Sequence, residues 1–184
     1  MPRTALIVID MLNSYEHADA EKLTRSVERA LPNIESLIAR AHDEDVLTIY
    51  VNDNFGSWRS DQDELLETAL AGEYRHLVEP IAPAEDTLFV VKARHSAFYQ
   101  TPLEYLLSQE DVDRIVLAGQ VTEQCVLYSA LDAYIRHLQV VVPTDATACI
   151  HEDLAEASLK MMELNMAAEI TDAADVDFRA AVRL

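Results

Sequence analysis

Arg114-Ile115-Val116-Leu117-Ala118-Gly119-Gln120-Val121-Thr122-Glu123-Gln124-Cys125 is the stretch from which the rest of the chain can be read. It opens on a short apolar run without polar alternation, the pattern of a strand covered on both faces. Gly119 then marks a turn. Thr122 is a favoured residue for capping a helix start, and the sequence from Glu123 to His137 reads as that helix. Cys125 therefore falls in the first helical turn, where free backbone N–H groups and the helix dipole favour a negative charge.

Working outward, the same strand-then-helix unit recurs along the chain. Strands are expected at Thr4–Ile9, Val46–Val51, Thr87–Val91, Arg114–Ala118, Val140–Val142 and Ala168–Thr171. Helices are expected at Glu21–His42, with Pro32 a site for a kink, and at Gln62–Ala71, Pro102–Ser108, Glu123–His137 and Glu152–Asn165. This alternation predicts a single α/β domain over residues 1–184. It is a three-layer α/β/α sandwich around a six-stranded, mostly parallel, Rossmann-like sheet of order 3-2-1-4-5-6.

Composition narrows the function classes. The chain has 184 residues, of which 33 are acidic and 14 basic, giving a formal net charge of −19. Nucleic acids and anionic membranes are bound by clustered Lys and Arg, so neither is an expected partner. The acidic residues are interleaved with apolar ones and read as solvated helix faces. No apolar run approaches the roughly 20 residues of a membrane span. The start, Met1-Pro2-Arg3-Thr4, leads directly into a strand-like run ending at Asp10, which is a poor signal peptide. Cytoplasmic residence is the expectation. Two cysteines, Cys125 and Cys149, do not make a disulfide framework, and Cys149 reads as a buried space-filler. With only three glycines, no G-x-G-x-x-G or phosphate loop can be written, so a dinucleotide-binding protein is disfavoured.

Open parallel sheets carry their chemistry at the carboxyl ends of the strands. Asp10 ends the first strand, the loop Asn52–Ser60 follows the second, Lys92 ends the third, and Cys125 follows the fourth. A thiol, an acid and an amine together suit nucleophilic hydrolysis. The carboxyl group can move the proton, and the ammonium can hold a thiolate or a developing oxyanion. Trp58, Arg59, His95, Phe98 and Tyr99 lie beside these ends in sequence and are the candidate pocket walls for a small planar or carboxylate-bearing substrate. One tension is geometric: in the expected order, the second strand separates Asp10 from Lys92 by two strand spacings, about 10 Å.

Three segments carry a family resemblance: Ile7-Val8-Ile9-Asp10-Met11-Leu12-Asn13, Lys92-Ala93-Arg94-His95-Ser96-Ala97-Phe98, and Gly119-Gln120-Val121-Thr122-Glu123-Gln124-Cys125-Val126. Together, and in this order, they resemble the signatures of the isochorismatase-like cysteine hydrolases. The resemblance implies an Asp10–Lys92–Cys125 triad and a cis peptide at Gln120–Val121. It also implies an oxyanion hole formed by the Val121 and Cys125 N–H groups, and a small-molecule amide as substrate, cleaved through a Cys125 thioester. It implies homo-oligomers, dimeric or tetrameric. Alternatives within the resemblance are vinyl-ether hydrolysis of the isochorismatase type and a non-catalytic binding module. Gln120 stands where the family carries an aliphatic residue, and Leu12 where many members carry Gln. Nicotinamidase-type members hold a metal through an Asp-x-His arrangement. Here the corresponding residues are Asn52-Asp53-Asn54, so no metal and no cofactor are expected, and nicotinamide is disfavoured as substrate.

Overall fold

The computed structural model describes residues 3–180, so Met1 and Pro2 of the N-terminal reading lie outside the described residues. The first strand, β1 (Arg3–Ile9), is buried along nearly its whole length. Its side chains split by the strand's period of two. Leu6 and Val8 pack on one side with Leu23, Val27, Ile34 and Leu37 of helix α1 (Ala20–Asp43). Ala5, Ile7 and Ile9 pack on the other with Leu103 and Leu107 of α3 (Leu103–Gln109) and Ala130 and Ala133 of α4 (Leu127–Ile135). A strand with no polar face must be covered twice, which is why the sheet is the middle layer. Each leucine, isoleucine or valine side chain so buried contributes about 1.5–3 kcal/mol.

Around β1 lie β2 (Leu47–Asp53), β3 (Leu88–Lys92), β4 (Val112–Gln120), β5 (Gln139–Pro143) and β7 (Glu169–Thr171), in the order β3-β2-β1-β4-β5-β7. Every pairing is parallel. The expected sheet thus needs one addition: a two-residue strand, β6 (Thr147–Ala148), pairs with the end of β4 at Gly119 and Gln120, making seven strands. Two residues carry no periodicity, so sequence patterning cannot find such a strand. The remaining helices are α2 (Gln62–Ala71), on the α1 side, and α5 (Glu152–Met166), on the α4 side. Helix α1 runs through Pro32 as one assigned helix.

Of the boundaries that differ from the sequence expectation, two bear most on the site. Strand β2 extends two residues further, through Asn52 and Asp53, with Asp53 in register with Lys92. The polar pair Asn52-Asp53 reads as loop, but a strand end beyond the covered core can carry polar residues. After β4 the chain makes a π-helical turn, Thr122–Val126, before α4 begins at Leu127. Thr122 is not the expected side-chain cap. Its hydroxyl donates to the Ala148 carbonyl at 3.0 Å and ties this turn to β6.

Gly119 fixes how closely β4 and β1 approach. It has φ +114°, and a Cβ placed there would stand 2.2 Å from the Ile9 carbonyl oxygen and 2.8 Å from the Ile9 nitrogen. Only glycine fits, and the close approach sets Asp10 beside the turn that carries Cys125.

Candidate active site

Asp10 sits just past β1 with a positive φ of 54°, a conformation that Asp tolerates better than most residues. Its N–H donates to the Val51 carbonyl at 2.9 Å, and its Oδ1 accepts the Asp53 N–H at 2.7 Å, so β2 holds both the backbone and the carboxylate of Asp10. Asn52 completes this bracket. Its Oδ1 accepts the Leu12 N–H at 2.9 Å, and its amide donates to the Leu12 carbonyl at 3.1 Å. Gln120, the departure from an aliphatic residue, donates from Nε2 to the Asp10 carbonyl at 2.6 Å. The peptide bond that follows it, Gln120–Val121, is cis.

The ammonium of Lys92 is fully buried, 2.8 Å from Asp10 Oδ2, 3.4 Å from Asp53 Oδ2 and 3.6 Å from Cys125 Sγ. The two-strand gap is therefore closed by the lysine's own stem, which crosses the end of β2. A buried ammonium is tolerable only when paired. Asp53, which sequence reasoning considered only as a poor metal ligand, is the second anion of that pairing and also accepts the Phe55 N–H at 2.8 Å. The signal that would have found it is the register of Asp53 with Lys92, which needs the true end of β2.

The electrostatics correct one expectation. A helix start and a nearby lysine favour a thiolate, yet the Cys125 thiol is pushed well up from its ordinary value. Burial is the larger cause and the Asp10 carboxylate the next, and Lys92 offsets them only in part. Burial likewise raises the Asp10 pKa, against the pull of Lys92, the Cys125 thiol and the Asp53 N–H. For Lys92, burial works against the charge, but Asp10, the Cys125 sulfur and Asp53 outweigh it and raise its pKa. The resting site is thus a buried Lys92–Asp10 ion pair beside a neutral thiol. A thiolate would be a third anion around one cation.

Beyond Lys92 the chain bends through Arg94, His95 and Ser96 and is pinned to α4. Ser96 Oγ donates to Asp132, and Ser129 Oγ accepts the Ala97 N–H at 2.9 Å. His95 Nδ1 lies 3.8 Å from Cys125 Sγ, and its ring stacks at 5.5 Å on Tyr128. A cleft of about 570 Å³ opens over Lys92, within the size range of small-molecule sites. Trp58, His95 and Tyr99 line it, as the sequence suggested. Phe98 does not. It is buried in the core with the Arg136 guanidinium 5.1 Å from its ring centre. Arg59 is exposed on the loop next to Trp58 but is not a wall residue, whereas Arg94 is. Arg94 lies inside a motif read for its lysine, and strand-end patterning gives no sign of where a loop side chain lies.

Cys149 is half-buried, with its N–H donating to Ser26 Oγ at 3.0 Å, away from the cleft. Glu123, the other acidic residue of the turn, accepts the Ile150 and His151 N–H groups at 2.9 and 2.8 Å and so clamps the π-turn to the start of α5.

Residues 4–175 match the family model of the isochorismatase domain. The uncharacterised isochorismatase family protein YaaI of Bacillus subtilis is 35% identical over 91% of this chain and 92% of its own. Maleamate amidohydrolase of Pseudomonas putida is 27% identical over 85% of this chain and 78% of its own. Among solved structures, an isochorismatase family protein from Desulfovibrio vulgaris superposes with a TM-score of 0.74 at 27% identity, covering 95% of this chain and 96% of that one. The chain belongs to the isochorismatase family of hydrolases.

Proposed function

We propose that this protein is a cysteine amidase that cleaves the C–N bond of a small amide through an acyl thioester on Cys125. The observation that carries the reading is the cluster of Cys125, Lys92 and Asp10, with the ammonium 2.8 Å from the carboxylate and 3.6 Å from the sulfur, and with Lys92 itself lining the cleft. The neutral resting thiol gives Asp10 its first task. As the sulfur approaches the amide carbonyl, Asp10 accepts the thiol proton, so the thiolate exists only while it is being used. Lys92 stabilises the sulfur's developing charge in a site with little competing water. The carbonyl oxygen, becoming an oxyanion, accepts from the Val121 and Cys125 N–H groups. Asp10 then returns the proton to the leaving nitrogen as the C–N bond breaks.

The second half repeats the first with water. Asp10 takes a proton from water as its oxygen attacks the thioester carbonyl. The C–S bond breaks, the sulfur regains the proton, and the carboxylic acid leaves. Atoms and charge balance without a further reactant. The likeness to maleamate amidohydrolase of Pseudomonas putida supports C–N rather than vinyl-ether cleavage, since a vinyl ether offers no acyl carbon for the thiol. Screening the protein against small amides, ureides and isochorismate tests the reading. Turnover of an amide that falls at least about a thousandfold in Cys125→Ala is expected. Turnover of isochorismate that survives Cys125→Ala would refute it.

A further inference from the structure

The described arginines of this acidic chain nearly all find partners. Arg3, Arg25, Arg29, Arg75, Arg114, Arg136 and Arg179 each pair with a carboxylate, and Arg40 donates to two carbonyls. Among the described residues, the guanidinium groups of Arg59 and Arg94 alone have no such partner. Both stand on loops at the mouth of the cleft, and Arg94 is part of its wall. With 33 acidic residues against 14 basic ones, an arginine without a carboxylate is unusual in itself.

The carboxylates that share a cavity with Arg94 are already engaged. Asp53, in the cleft, faces Lys92 at 3.4 Å. Asp132, in the adjoining hollow of about 440 Å³, takes the Ser96 hydroxyl and the Arg136 guanidinium. The backbone that bears Arg94 is meanwhile fixed to α4 through Ser96 and Ala97. The chain therefore presents, on an anchored loop, a planar five-donor cation with nothing inside the protein to bind. Guanidinium matches carboxylate in a two-bond geometry, and it offers attraction at the one place where a strongly negative protein would otherwise repel an anion. Trp58 and Tyr99, both well exposed on the same walls, supply flat apolar faces for the remainder of the ligand.

We infer that Arg94 is the receptor for a substrate carboxylate, so that the cleft selects amides whose acyl portion carries a carboxylate at the end remote from the scissile bond. This inference rests on the amidase reading above, with Cys125 receiving the acyl group. It assigns Arg94 to specificity. Bond making and breaking stay with Asp10, Lys92 and Cys125.

The test compares succinamate with butyramide, its neutral counterpart of equal chain length, in the intact protein. Wild type is expected to favour succinamate in kcat/KM by at least about tenfold, and that ratio is expected to collapse toward one in Arg94→Gln and to recover in part in Arg94→Lys. The preference is also expected to weaken as salt is raised. An unchanged ratio in Arg94→Gln, or a wild type without preference, overturns the assignment. Succinate serves as a probe that needs no turnover. It is expected to raise the melting temperature of wild type and not of Arg94→Gln, and an equal response in the two proteins overturns the assignment. If neither amide is cleaved, the wider panel above still tests the amidase reading, and the succinate comparison decides separately whether Arg94 binds the anion.

Discussion

At the scale of the residue, the site turns on where one proton rests. Burial and the Asp10 carboxylate favour the proton on the Cys125 thiol, and Asp10, the Cys125 sulfur and Asp53 favour the proton on Lys92 despite its burial. The Asp10 carboxylate is a main reason the thiol keeps its proton, after burial. Replacing Asp10 by Asn removes that charge and leaves Lys92 beside the sulfur. The expected outcome is therefore opposite for ionisation and turnover: Asp10→Asn lowers the thiol pKa yet abolishes catalysis. Ultraviolet absorbance of the thiolate as a function of pH, with Cys149→Ser as background, reads the first. A thiol pKa that stays put or rises in Asp10→Asn would show that the carboxylate does not face the thiol as described. Reasoning from helix starts alone leads to the reverse expectation, a stabilised thiolate, because it counts the dipole and the lysine but not burial or the neighbouring acid.

At the scale of the element, strand ends place the groups. Gly119 lets β4 run against β1 so closely that a methyl group would overlap the Ile9 backbone. Gly119→Ala is expected to cost roughly 3 kcal/mol or more in chemical denaturation, because backbone on both sides must move and the positive φ is itself unfavourable for alanine. A loss under about 1 kcal/mol would mean that the two strands can separate freely. Strands β1 to β5 were legible from their apolar runs, whereas β6, with two residues, was not. The positions of Asp10, Lys92 and Cys125 at their ends followed from that, and the family resemblance assembled them into a triad. Three further features were not legible. Thr122 has the chemistry of a helix cap, but the π-turn sends its hydroxyl to Ala148 instead. Asp53 belongs to β2 only because pairing with β3 extends that strand past its apolar segment. Phe98 and Arg94, four residues apart in one motif, part company in space, and loop conformation rather than periodicity decides which one meets the cleft.

At the scale of the whole molecule, burial of titratable groups ties stability to pH. Burial raises the pKa of Cys125, of Tyr15 and of Tyr50, opposed for Tyr15 by its contact with Gln120. In the unfolded chain a cysteine releases its proton near pH 8.5 and a tyrosine near pH 10. Above about pH 8.5 the unfolded state thus binds fewer protons than the folded state, and stability falls as pH rises. Denaturation midpoints are expected to drop steadily from pH 8 to pH 10, with a shallower first part of the decline in Cys125→Ser. A flat profile over that range would contradict the burial of these groups. The same sheet brings the ends of β2 and β3 to the cleft through Asp53 and Lys92, so fold and chemistry depend on the same layer.

The claim at the centre of this account is that a substrate acyl group is carried on the sulfur of Cys125. Intact-mass spectrometry of the protein, acid-quenched during turnover of an amide it hydrolyses, reads that state directly. The account predicts a mass increment equal to the acyl group, mapped to the peptide bearing Cys125 and absent from Cys125→Ala. Full turnover by Cys125→Ala, or an acyl group mapped to Cys149 instead, would contradict it.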